Sequence, residues 1–284
     1  MAVDQIETIF SDYSYQSRKR GLHHQIQDRV KGVLLGLAAG DRIGGPTQMA
    51  TRLGESLVED SAYVSKNLEK KYIDWWSERG FDTGNVSEKV FSLVSRGMPI
   101  YTAVNKVDQE LKGMTAGCNP VHRSAPIAMS VHLHDDEIAG IAERESLLTH
   151  KHHRAGLVSA TNVQLVRSLI RGTGWSEAIK QMENTCSPVI CDAFKDARNG
   201  KIFSDGYSPH VLGAAIYFLN TSKTFDEMLK KAIDFPGDDN YCAVLSGSLG
   251  GARWGASSIS EKWFVGFTDI DKVNLVASSL ANGW

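Results

Sequence analysis

Hydrophobic positions recur along most of this chain three and four residues apart, and nowhere alternate with period two over five or more residues. From Asp28 onward, Val30, Val33, Leu34, Leu37 and Ala38 form one helical stripe, with Gly32, Gly36 and Gly40 every fourth residue. Glycine lowers helix stability by up to about 1 kcal/mol relative to alanine. A helix that keeps it along one ridge is expected to admit another helix at close range. That helix is expected to end at Gly40-Asp41, and Gly44-Gly45-Pro46 to turn the chain. A helix is expected within Leu57–Ile73, and another on the stripe Val86, Val90, Phe91, Val94, which starts after Gly80-Phe81-Asp82-Thr83-Gly84-Asn85. Further helices are expected at 99–111, 136–143, 155–171, 175–183, 188–197, 207–219, 224–233, 243–255 and 269–280. The pattern predicts an all-α fold, a single-domain multi-helix bundle over 23–284 preceded by a loosely held polar arm at 1–22.

Composition narrows the function classes. Of 284 residues, 42% are hydrophobic and 23% charged, ordinary for a soluble globular protein. A net charge of −2 gives no electrostatic argument for nucleic acid or for an acidic membrane surface. No apolar run is long enough to span a bilayer, and Met1 to Arg20 does not read as a secretory signal. The expectation is a soluble protein, cytoplasmic by default, with delivery into another cell left open. Cys118, Cys186, Cys191 and Cys242 form no Cys-x-x-Cys pair and are expected to be reduced thiols.

Candidate chemistry gathers at a few turns. Phe235-Pro236-Gly237-Asp238-Asp239-Asn240-Tyr241 sets two carboxylates and an amide between two helices. Oxygen ligands of this kind suit a hard cation such as Mg²⁺ or Mn²⁺, and the same residue types equally serve as a helix cap. Asp82-Thr83 repeats the theme of an acid ahead of a helix. Gly117 to Pro126 is a turn rich in Gly and Pro. His150, His152 and His153 lack the spacing of a zinc site; one is expected to line a pocket and the others to face water.

Taken in order, these landmarks resemble the ADP-ribosylglycohydrolases. The likeness rests on Gly32-x-x-x-Gly36-x-Ala38-x-Gly40-Asp41-x-Ile43-Gly44-x-Pro46, Asp82-Thr83, Gly117-x-Asn119-x-x-x-Arg123-x-Ala125-Pro126, Leu148-Thr149-His150, Gly237-Asp238-Asp239-Asn240 and Ile259-x-x-x-Trp263. It implies an all-α bundle with two central metal ions, usually Mg²⁺, that hydrolyses the bond between ADP-ribose and a protein side chain, most readily arginine. It further implies catalytic roles for Asp82, Asp238 and Asp239. Asp41, Thr83, Gly117, Asn119, Arg123, Ser124, His150 and Asn240 are implied in ligand binding. The partners implied are ADP-ribose and an ADP-ribosylated protein, with no nucleic acid and no membrane insertion.

The chain departs from the family pattern at the metal motifs. Gly80-Phe81-Asp82-Thr83 stands for Thr-Asp-Asp-Thr, Asn240-Tyr241 for Asp-Thr, and Gln48 for a common Glu. Each change removes a negative charge or a metal-binding oxygen. Asp82 and Asp238 remain, and Asp239 offers a carboxylate one residue along. The expectation is therefore at most one Mg²⁺ or Mn²⁺, held by Asp82, Asp238 and Asp239, or a metal-independent enzyme. A catalytically inactive ADP-ribose-binding protein and a hydrolase of a small ADP-ribose-like glycoside stay open as alternatives.

Overall fold

The computed structural model describes the backbone of residues 2–235 and 242–284, and side chains at 21–235 and 242–284. In chain order its helices are α1 (Ala2–Gly40), α2 (Gly45–Asp60), α3 (Ser65–Arg79), α4 (Gly84–Val94), α5 (Ile100–Glu110), α6 (Asn119–Arg123), α7 (Pro126–Met129), α8 (Ile138–Ser146), α9 (His153–Ile170), α10 (Trp175–Thr185), α11 (Pro188–Arg198), α12 (Ser208–Asn220), α13 (Phe225–Ile233), α14 (Cys242–Trp254) and α15 (Ile270–Ala281). The fold is all-α. Among the described residues the β pairing is an isolated antiparallel bridge between Gly117 and Tyr207.

The glycine ridge of α1 lies against α14, the helix built of small residues. A Cβ on Gly36 would sit 2.1 Å from the Gly247 carbonyl oxygen, and one on Gly40 would sit 2.1 Å from the Ala243 carbonyl oxygen. At Gly251 the added carbon would lie 1.7 Å from the Gly32 carbonyl oxygen. The two backbones therefore touch where side chains would otherwise hold helices 8–10 Å apart. Around this pair pack α2, α9, α12, α13 and α15. Helix α9 is buried on most sides: Val158, Val163, Leu165, Val166 and Ile170 are fully enclosed.

Two expectations change. The helix expected within Leu57–Ile73 is two helices. Ser61, in the left-handed region at φ 51°, closes α2, and α3 starts afresh at Ser65. Helix α1 runs back through residues 2–22, the polar arm of the sequence. Cys186 and Cys191, expected as thiols, form a disulfide with Cα atoms 5.7 Å apart, a separation that suits the bond. It joins the end of α10 to α11, while Cys118 and Cys242 are buried thiols.

Candidate functional site

The site is assembled from three turns. The first is the loop from α3 to α4. Asp82 adopts φ 48°, a left-handed conformation uncommon outside glycine and enriched for Asn and Asp. Such outliers persist where surrounding structure holds them. Here the support is Gly45 at the start of α2, where a Cβ would meet the Asp82 carbonyl oxygen at 2.5 Å and Asp82 Cβ at 2.8 Å. Thr83, buried, occupies the N-cap position of α4.

The second turn, 115–118, is pinned to 206–208. The Cys118 N–H donates to the Gly206 carbonyl at 2.9 Å, and the Ser208 N–H to the Ala116 carbonyl at 3.0 Å. Asn119 opens α6 directly afterwards. The third turn follows α8 and carries Thr149 and His150, both buried. A Cβ on Gly117 would lie 3.0 Å from His150 Nε2, so glycine here lets the imidazole reach the turn.

Together the turns enclose a cavity of about 170 Å³ lined by Pro46, Asp82, Thr83, Gly117, Asn119 and His150, among others. Burial, with the Arg123 charge nearby, pushes the His150 pKa well below its usual range, so the imidazole is neutral. A larger space of about 370 Å³ shares Gly117 and Gly206 with this cavity and is bounded by Met114, His152 and Tyr207. His152 also caps α9, accepting from the Arg154 N–H at 3.2 Å, and His153 is exposed.

Other expected residues lie elsewhere. Asp41 is buried and fastens the turn into α2. Its carboxylate accepts from the Gly44 N–H at 2.8 Å, the Thr47 N–H at 2.8 Å and the Thr47 hydroxyl at 2.7 Å. Burial raises its pKa and these bonds oppose the rise. Arg123 and Ser124 are fully buried and do not line the cavity. Arg123 instead pairs with Glu145 and braces Asn119 and Thr149. Asp238, Asp239 and Asn240 lie outside the described residues.

The position of the family's common glutamate is also informative. The Gln48 side-chain amide donates to the Asp269 carboxylate. Both line a third cavity, of about 450 Å³, with Phe81, Trp263 and Phe267. Among the described residues no three His, Cys, Asp or Glu side chains converge as a metal site. Those residues do not by themselves fit a two-metal centre.

Glu145, Tyr72 and Ser87 join the site without being marked as site residues in the sequence, and Thr149 is marked only within Leu148-Thr149-His150. A signal for Glu145 existed: it continues the apolar spacing Ile138, Ile141, Ala142 and so falls on the core face of α8.

A solved structure of the same fold, an ADP-ribosylglycohydrolase-related protein complex, superposes with a TM-score of 0.75 at 21% identity, over 91% of this chain and 99% of that one. The ADP-ribosylglycohydrolase family model matches residues 46–284, and the chain belongs to that family. It is similar to the ADP-ribosyl-dinitrogen reductase glycohydrolase of Rhodospirillum rubrum, 21% identical over 84% of this chain and 90% of that protein. It is also similar to the ADP-ribosylarginine hydrolase Tri1 of Serratia proteamaculans (strain 568), 21% identical over 89% of this chain and 79% of the relative. Among the described residues no helix is long and apolar enough to cross a membrane.

Proposed function

We propose that this protein is an atypical ADP-ribosylhydrolase that releases ADP-ribose from modified protein side chains, arginine foremost. The observation that carries the reading is the convergence of the Asp82 loop, Asn119 and His150 on one cavity that adjoins a larger one. In this reading the ribose lies by Asp82 and the pyrophosphate and adenine extend past Gly117 toward Tyr207 and Met114. Water attacks the anomeric carbon as its bond to the side-chain nitrogen breaks. The bonding pair leaves with the guanidine, and Asp82, aided by Asp238 and Asp239, accepts the water's proton. The same carboxylates stabilise the oxocarbenium-like charge. His150, being neutral, binds without adding charge.

The test is release of ADP-ribose from an ADP-ribosylarginine protein. Asp82→Asn should lower the rate by about 10²- to 10⁴-fold, the usual contribution of a positioned general base. Unchanged turnover in that variant would remove Asp82 from the mechanism. A second reading, binding of ADP-ribose without turnover, draws on the Gln48–Asp269 bond at a position where the resemblance has a glutamate. Calorimetric binding with no release from arginine- or serine-linked substrates would select it.

Metal content is the second expectation. Two divalent ions about 4 Å apart repel by roughly 16 kcal/mol at an effective dielectric of about 20, and carboxylates must offset this. Asn240, Phe81 and Gln48 each withhold a charge that would serve. We expect at most one Mg²⁺ or Mn²⁺, weakly held, and only partial loss of activity with a chelator. Mn²⁺ titrated by electron paramagnetic resonance should give a stoichiometry of one or less; two tightly bound ions would refute this.

A further inference from the structure

The cavity's polar atoms are backed by a buried charged pair that the hydrolytic reading does not use. Arg123 Nε donates to Glu145 Oε1 at 2.6 Å, and both side chains are fully enclosed. The Tyr72 hydroxyl donates to the same oxygen at 2.9 Å, and the Arg123 guanidinium lies 5.2 Å from the centre of the Tyr72 ring. The rest of the guanidinium faces the site: Nη1 donates to Asn119 Oδ1, and Nη2 donates to Thr149 Oγ1 at 2.9 Å.

We propose that Arg123, anchored by Glu145, is a positioning residue that makes Asn119 and His150 present N–H donors to the cavity. The site thereby selects ligand atoms that accept, phosphoryl and ribose oxygens, over atoms that donate. This rests on the ADP-ribose reading above.

A guanidinium only donates. Asn119 Oδ1 therefore turns toward Arg123, where it also accepts from the Ser87 hydroxyl at 3.0 Å. Nδ2, a donor, is left for the cavity that Asn119 lines. Thr149 Oγ1 accepts a hydrogen bond from Arg123 Nη2 and keeps its own O–H to donate. It lies 2.8 Å from His150 Nδ1. Among the described residues the Thr149 O–H has no other acceptor to donate to, so Nδ1 accepts and the neutral imidazole carries its proton on Nε2, the nitrogen beside Gly117. An imidazole free of Thr149 would sample both tautomers and offer the ligand a lone pair part of the time. Burial and the Arg123 charge disfavour the imidazolium, so the tautomer is what matters.

The experiment reads the tautomer directly. In the full-length protein with ¹⁵N-labelled histidine, long-range ¹H–¹⁵N correlation should show His150 as the Nε2–H form without any ligand. Thr149→Val should shift it toward a mixture, and Thr149→Ser should restore it. Calorimetry with ADP-ribose should show affinity falling about tenfold in Thr149→Val and staying within about twofold in Thr149→Ser. A wild-type Nδ1–H tautomer overturns the proposal, and that spectrum decides the matter even where Thr149→Val does not fold. So does a Thr149→Val variant whose tautomer changes while its affinity does not. Absence of ADP-ribose binding by the wild type, with the Nε2–H form observed, counts against the functional reading and leaves the positioning network standing.

Discussion

Gly36→Ala should destabilise the protein by about 3 kcal/mol, the upper end of what overpacking costs, and chemical unfolding measures it directly. Alanine is the better helix former, and at an exposed helical site the same change stabilises by up to about 1 kcal/mol. The sign reverses here because the new Cβ would lie 2.1 Å from a backbone carbonyl oxygen of Gly247, which cannot rotate away as a side chain can. Gly21→Ala is the matched control in the same helix. Outside its own stretch of helix no atom lies within 4 Å of its added carbon, so it should be neutral or stabilising. A Gly36→Ala variant as stable as the wild type would mean that α1 and α14 do not pack backbone to backbone. The ridge also bears on function, because α14 follows the acidic pair Asp238-Asp239 in the sequence and α1 ends at the turn into α2 that supports Asp82.

That ridge is legible in the sequence, because a repeat of four residues in a helix is a geometric statement. The helical stripes were legible for the same reason, and helices such as α9 and α15 begin and end within about two residues of their expected bounds, the usual ambiguity of helix ends. Boundaries failed where local propensity carried no mark. Nothing in Leu57–Ile73 announces that Ser61 turns left-handed and closes α2. The Cys186–Cys191 pairing was missed because it depends on how α10 meets α11.

The candidate site divides in the same way. Asp82, Gly117, Asn119 and His150 were marked by local motifs, and their side chains or turns line one cavity. Arg123 and Ser124 carried the same motif but face inward. A motif records that a residue is needed, not which way it points. The resemblance implies Arg123 in ligand binding, on its place in the Gly117–Pro126 turn. Its burial depends on Glu145, 22 residues away, and on Tyr72 from another helix. The Gln48–Asp269 contact, across 221 residues, had no sequence signal at all.

Glu145→Ala should cost about 3–5 kcal/mol, the loss expected when one member of a buried ion pair is removed. The cost arises less from the bond itself than from what remains. Arg123 stays enclosed with its charge uncompensated, and the Tyr72 hydroxyl loses its acceptor. Replacing both partners together, Glu145→Met with Arg123→Met, should cost far less and can stabilise by about 1–4 kcal/mol, since neither charge then needs desolvation. The double variant consequently separates two roles that the single variant confounds. If the pair is there for stability, the double variant should unfold more easily and bind ADP-ribose normally once folded. If the pair is there to orient Asn119 and His150, the double variant should keep its stability and bind ADP-ribose poorly, because both side chains are then free to turn. The second outcome is the one expected. A Glu145→Ala variant that loses less than about 1 kcal/mol in denaturant unfolding, a cost typical of a surface pair, would show that the pair is not buried as described.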